Sequence, residues 1–212
     1  MASPPRLLGM FPLSVVLFPY TGVPLLVFEP RYLELLSDCL EEEGTFGVVL
    51  ISRGSEVGGG DHRVDIGTEV RVANLEPMPE GRFALLAEGL GRVQVTEWLE
   101  DDPYPRAMVV DLPGPAFTGP SEVLTRAESS VRRLRSLLSE MGQVPAIPHD
   151  LDFGTTPEQI AWRLCASSPL NLMDSQRLLA IDDPDARLEE LVGLCDAMAV
   201  DVTAMLADGV EP

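Results

Sequence analysis

Lysine is absent from this chain: all 15 of its basic residues are arginines. The absence excludes whole classes of chemistry. A P-loop needs a lysine on the nucleotide phosphates. A Schiff base or a Ser–Lys dyad needs an amine that can lose its proton. Arginine stays protonated near neutral pH and substitutes in none of these roles. Histidine is nearly as scarce, with His62 in a glycine-rich polar loop and His149 in a proline-containing connection. A metal site needs clustered His, Cys or carboxylate ligands and none is read here, so no metal and no cofactor is expected. The G-x-S-x-G turn of a serine hydrolase is missing as well. No residue is therefore assigned a catalytic role. The three cysteines, Cys39, Cys165 and Cys195, lie far apart without C-x-x-C spacing, which fits a reduced, cytoplasmic setting. No apolar run reaches the ~18 residues of a membrane helix. The apolar start, MASPPRLLGMFPLSVVLFPY, is broken by Pro12 and Pro19 and is not read as a leader.

What the chain has in excess is negative charge. With 34 acidic residues the formal net charge is −19. Such a surface repels phosphate backbones and anionic lipid, so neither nucleic acid nor membrane is an expected partner. The run Gly58-Gly59-Gly60 leads into a strand rather than a helix and reads as a loop, not a phosphate cradle. Asp182, Asp183 and Asp185 imitate the start of a calcium loop. The glycine needed at its sixth position is missing, and helix capping accounts for them.

The first half reads as β structure with one helix. Strands are expected over 10–18, 23–28, 46–52, 68–75, 82–88, 92–99 and 106–112, with Gly89-Leu90-Gly91 as a hairpin turn between two of them. Pro24 marks the second strand as an edge strand or its start. A helix opens at Glu29-Pro30, where proline suits the first helical position. It carries Tyr32, Leu33, Leu35, Leu36, Cys39 and Leu40 at helical spacing, and Gly44 stops it. The segment PGPAFTGP (113–120) is a composition break. Beyond it, helices are expected over 121–141, 157–166, 170–181 and 184–206, the first carrying four arginines. Thr156 and Gln159 form a capping box around Pro157. Two subdomains follow, 1–115 rich in β structure and 116–212 helical.

The segment MFPLSVVLFPYTGVPLLVFEPRYLELLSDCL resembles the opening of the Lon protease N-terminal domain family. It holds a P-L-x-x-V-L-F-P strand, an F-E-P-R-Y strand-to-helix junction and a cysteine on the helix. FGVVLI, SEVGGG and DIGTEVRVANLEPMPEGRFALLAEGLGRVQV keep the family's order, and PEQIAWRL and DSQRLLAIDDPDARLEELVGLC are similar to its C-terminal bundle. The resemblance covers about residues 7–207. It implies an α+β fold, a small PUA-like β-barrel with one inserted helix followed by an α-helical bundle. It also implies a stand-alone member without the ATPase and Ser–Lys protease domains, hence not an enzyme. Within the motif, Phe28 and Tyr32 are expected to pack the helix onto the barrel. Glu29 and Arg31, two residues apart, do not share a helix face. Arg31 is expected to find another carboxylate or cap a loop. Gly58, Gly59 and Gly67 are expected to serve conformations that glycine accepts easily.

The function this implies is recognition of polypeptides, through exposed apolar or extended segments of client proteins. Two apolar turns stand out, Pro19 to Pro24 and Glu76 to Pro79, because turns lie at the surface. The expected contact residues are Pro19, Tyr20, Val23, Met78 and Phe117. Two alternatives accompany this reading. One is an adaptor or regulator of a separate protease or ATPase, or a homo-oligomer, docked through the basic helix and acidic tail. The other is small-molecule binding at the barrel cleft, with Arg31 or His62 on an anionic group.

Overall fold

The structure, a computed structural model, describes residues 3–41, 44–53 and 62–207. Gly58 and Gly59 lie outside them. The chain forms two compact units, Met1–Pro113 and Gly114–Pro212.

The described residues of the first unit form seven strands: β1 (Arg6–Leu13), β2 (Gly22–Val27), β3 (Phe46–Arg53), β4 (His62–Arg63), β5 (Ile66–Met78), β6 (Arg82–Trp98) and β7 (Arg106–Asp111), with helix α1 (Pro30–Glu41) between β2 and β3. Pairing runs β1–β7–β6–β5–β3 and returns to β1, so five strands close a ring. β1 closes it by pairing antiparallel with β7 over Arg6–Gly9 and parallel with β3 over Met10–Leu13. The β3 run FGVVLI is buried on both faces. Phe46 and Val48 join Phe11, Leu13 and the α1 residues Tyr32, Leu35, Leu36 and Cys39 in one core. Val49, on the opposite face, joins Leu8, Met10, Val93 and Val109 in a second. A strand sandwiched in this way has no need of polar alternation.

The hairpin expected at Gly89-Leu90-Gly91 does not form: β6 is one continuous strand of 17 residues. These glycines serve a different purpose. A Cβ on Gly89 would sit 2.5 Å from the Phe18 carbonyl oxygen. The register with β5 shifts here: the consecutive residues Glu69 and Val70 oppose Gly91 and Gly89, so β6 itself carries a bulge, with Leu90 as its extra residue. Glycine in a strand interior marks such a bulge and a close backbone approach as readily as a turn. The true β5–β6 turn is tighter than expected. Glu80 and Gly81 have φ of 65° and 70°, which matches strand twist, and Met78 becomes the last residue of β5.

The second unit holds α2 (Ser121–Glu140), α3 (Pro157–Ser167), α4 (Leu172–Ala180) and α5 (Pro184–Ala207). Ala127, Val131, Leu134 and Leu138 line the buried face of α2, and Leu188, Leu191, Cys195, Ala199 and Val202 that of α5. Both follow the helical stripe period. The Thr156 hydroxyl accepts from the Gln159 N–H at 3.3 Å, while Gln159 Oε1 accepts from the Thr155 N–H, one residue before the expected partner. Asn171 caps α4, and Asp183 Oδ1 accepts from the N–H groups of Asp185 and Ala186. Three of the four α2 arginines are engaged inside this unit. Arg132 donates to the carbonyls of Pro148 and Leu151, Arg135 to those of Pro145 and Ser167, and Arg126 pairs with Glu189. Among the described residues, no helix is long and apolar enough to cross a membrane.

Burial pushes the thiols of Cys165 and Cys195 up from 9.0 to about 12. Iodoacetamide at pH 8 should therefore leave both unmodified in the native chain and alkylate both in urea, as read by peptide mass spectrometry. Because the folded state holds these protons more tightly, their contribution to stability is complete below pH 9. It fades as pH rises from about 9 toward 12, where unfolded thiols ionise first.

Candidate functional site

Among the described residues, β2 pairs on one side only. Its residues Gly22–Val27 run antiparallel to Glu88–Phe83 of β6. On the same side of β6, Val93–Trp98 pair with β7 instead, and β7 goes on to pair with Arg6–Gly9 of β1. The outer edge of β2 and the second half of β1 therefore face one gap past the end of β7. A groove of about 290 Å³ fills that gap, lined by Pro24, Leu25, Leu26, Val27, Phe28 and Glu29, by Phe11 and Leu13 of β1, and by Tyr32 of α1.

The chemistry of the groove is apolar, with one ion pair at the rim. Tyr32 is buried and stacks on Phe11, with ring centroids 4.0 Å apart. The Arg31 guanidinium lies 4.5 Å from the Tyr32 ring centroid. Arg31 bonds Glu29 at 3.1 Å, which corrects the expectation that these two would not meet. Glu29 precedes Pro30 and lies outside the helix, its carbonyl accepting the N–H groups of Tyr32 and Leu33. The helix-face rule does not apply to it. Phe28 is also corrected. Rather than packing the helix down, it stands at the β2–α1 junction, 51 % exposed. A residue two before a proline on an extended path follows the strand, not the helix. Leu26 beside it is 47 % exposed, and Leu86, paired with Pro24, is 41 % exposed.

The expected contact residues do not share one surface. Pro19 is buried and Val23 is half-buried against the core under α1. Tyr20 has φ of 60° and its N–H meets the Gly89 carbonyl. Met78 pairs with Arg82. Seven residues of β6 separate those two anchor points, about 23 Å at strand rise. Phe117 belongs to the other unit. Leu26 and Phe28, not among the expected contacts, line the groove. The pointer to them in the sequence was Pro24, which marks an edge strand, next to the junction proline.

A second, smaller cavity of about 200 Å³ lies between β1 and α1, lined by Leu7, Gly9, Leu35, Asp38, Cys39, Thr45 and Tyr104 among others. The Tyr104 hydroxyl donates to Asp38 at 2.6 Å. Burial first, then the Asp38 carboxylate, hold its phenol above the ordinary 10.0. His62 is exposed on β4, and His149 is exposed in the α2–α3 connection. Among the described residues, no three His, Cys, Asp or Glu side chains are placed to hold a metal ion.

Residues 8–196 match the family described as the ATP-dependent protease La (LON) substrate-binding domain. The Lon protease of Anaeromyxobacter dehalogenans is 27% identical over 193 residues, covering 90% of this chain and 23% of that protein. That of Xanthomonas oryzae pv. oryzae is 30% identical over 191 residues, covering 86% and 22%. The chain thus spans less than a quarter of the relatives it matches. The crystal structure of a Lon N-terminal domain protein from Xanthomonas campestris superimposes with a TM-score of 0.66 at 29% identity, covering 89% of this chain and 98% of that one. The N-terminal domain of a Mycobacterium avium complex Lon protease shares the fold, with a TM-score of 0.59 at 15% identity.

Proposed function

The chain belongs to the LON substrate-binding domain family, and from that premise we propose that it recognises polypeptides without acting on them chemically, through the groove beside β2. The observation that carries this is the exposure of Leu26 and Phe28 along an open strand edge. Exposed apolar surface of this kind is what a client's own apolar side chains would cover. At about 290 Å³, the groove is at the small end for a site enclosing a small molecule, which favours a chain passing through over a compact ligand. The net charge of −19 favours neutral or basic clients. Delivery of a bound client to a separate protease or ATPase is the accompanying role, supported by the family match.

The test is binding of a reduced, alkylated, unfolded polypeptide, followed by fluorescence anisotropy. Each large apolar side chain covered in a complex contributes about 1.5–3 kcal/mol. Phe28→Asp with Leu26→Asp should weaken binding at least 100-fold and leave the melting midpoint nearly unchanged, since both side chains already face water. Tyr20→Asp with Met78→Asp is the contrasting pair. If only that pair weakens binding, the site lies in the apolar turns and the groove assignment is wrong.

A further inference from the structure

We propose that the groove binds its polypeptide as an added β-strand, hydrogen-bonded to the outer edge of β2. This rests on the polypeptide-recognition reading and specifies its mode. Side chains of a strand alternate between its two faces, so a groove on one face touches every second residue. Here the consecutive residues Pro24, Leu25, Leu26, Val27 and Phe28 all line the groove. That pattern places the groove along the main-chain edge rather than on a face.

The hydrogen-bond phase of β2 agrees. Gly89 N–H donates to the Thr21 carbonyl at 2.8 Å and the Gly89 carbonyl accepts from the Tyr20 N–H at 2.9 Å, so Gly89 turns both its polar groups toward the β2 side. Antiparallel pairs alternate. In the β2–β6 register, Val23–Ala87, Leu25–Leu85 and Val27–Phe83 are then the bonded pairs. Gly22, Pro24 and Leu26 turn their main-chain polar groups to the open edge. Pro24 therefore lacks an N–H only where β6 would not use one. The β1 wall is prepared in the same way. Met10 N–H donates to the Pro105 carbonyl at 2.7 Å, so the nitrogen two residues on, at Pro12, points past the end of β7 toward the groove and has no hydrogen to offer. An incoming strand can pair with β2 and pack against β1 without competing for β1's bonds.

The occupant is an extended, neutral or basic segment of another protein with apolar residues at alternate positions. Main-chain pairing supplies tolerance of sequence, the alternate apolar side chains meet Leu26, Phe28 and Phe11, and the net charge of −19 sets the sign.

The probe is a nine-residue peptide of alternating arginine and valine, titrated into the 15N-labelled chain. Binding should slow amide exchange at Leu26. N-methylation at successive peptide residues should weaken affinity with a period of two, at least ten-fold at alternate positions and little between. Leu26→Pro, which deletes the edge N–H, should weaken binding at least five-fold more than Leu26→Ala, which removes only the side chain. A flat N-methyl profile with unchanged Leu26 exchange overturns strand addition even if Leu26→Pro does not fold. If the Phe28→Asp, Leu26→Asp pair still abolishes binding in that case, the groove reading survives alone. No binding of either the peptide or the unfolded polypeptide by the parent chain overturns both.

Discussion

Replacing Arg187 by alanine should cost the helical unit about 3–5 kcal/mol. Arg187 is 2 % exposed. Its guanidinium lies 3.5 Å from the Trp162 ring centroid and donates to the carbonyls of Ile181 and Asp182 as the chain turns from α4 into α5. Leaving buried carbonyls without donors costs about 1–3 kcal/mol. A desolvated stack on tryptophan adds about 2 kcal/mol, and the vacated volume adds a cavity term. Against a domain stability of about 5–15 kcal/mol this is a large fraction. The chain's two tryptophans lie in different units, Trp98 in β6 and Trp162 in α3. In a Trp98→Phe background, urea unfolding followed by fluorescence reports the helical unit alone. Arg187→Ala should move that midpoint strongly downward. Arg187→Lys should recover little, because an ammonium supplies charge without the plane that stacks. A midpoint shift equal to that of an exposed arginine such as Arg177 would show that the stack and the carbonyl bonds contribute nothing.

The second large effect is expected at Gly67, where alanine should cost the β-rich unit about 3 kcal/mol. Gly67 has an ordinary negative-φ backbone; the positive-φ glycines among the described residues are Gly81, Gly142 and Gly154. The expectation that Gly67 serves a special conformation is therefore replaced by a steric reason. A Cβ there would run into the Val48 carbonyl oxygen and lie 2.6 Å from Val49 Cγ1. The obstacle is main chain of a packed strand, which cannot rotate away, so the cost falls at the upper end for overpacking. Gly91, in the adjoining strand β6, is the control, because a Cβ there meets nothing within 4 Å. Gly91→Ala should be neutral or slightly stabilising. Trp98 fluorescence in a Trp162→Phe background reads both. Equal midpoints for the two variants would remove the close-approach explanation.

Much of the architecture is written in local pattern. The α1 start at Pro30 and its buried face follow from proline and period, and the Gly44 N–H closes on the Cys39 carbonyl. Local pattern also gives α2, α3, the Thr156 cap and the start of α5. Local pattern failed where one residue type answers to two causes. Gly89 and Gly91 have the composition of a turn, yet they flank a bulge, and Gly89 meets the Phe18 carbonyl, which lies about 70 residues earlier in the chain. The site was half legible. Pro24 identifies an edge strand, but the identity of the wall opposite, Phe11 and Leu13, depends on pairings of β7 with β1 and β6 that no window of sequence contains. Arg187 gave no warning, because main-chain carbonyls and an aromatic ring are partners that leave no pattern in the sequence.

The ring closure has a kinetic consequence. β1 begins at Arg6, and its antiparallel partner β7 ends at Asp111, so the contact that seals the unit joins its two extremes. Loops of that length close slowly, and folding rate falls as contacts become more distant in sequence. On the ribosome, β2, α1 and the β5–β6 hairpin can form while β1 still lacks β7. During that interval two further strand edges are unpaired besides that of β2: the first half of β1 and Val93–Trp98 of β6. The same geometry thus exposes the growing chain to pairing with its neighbours until Asp111 has emerged.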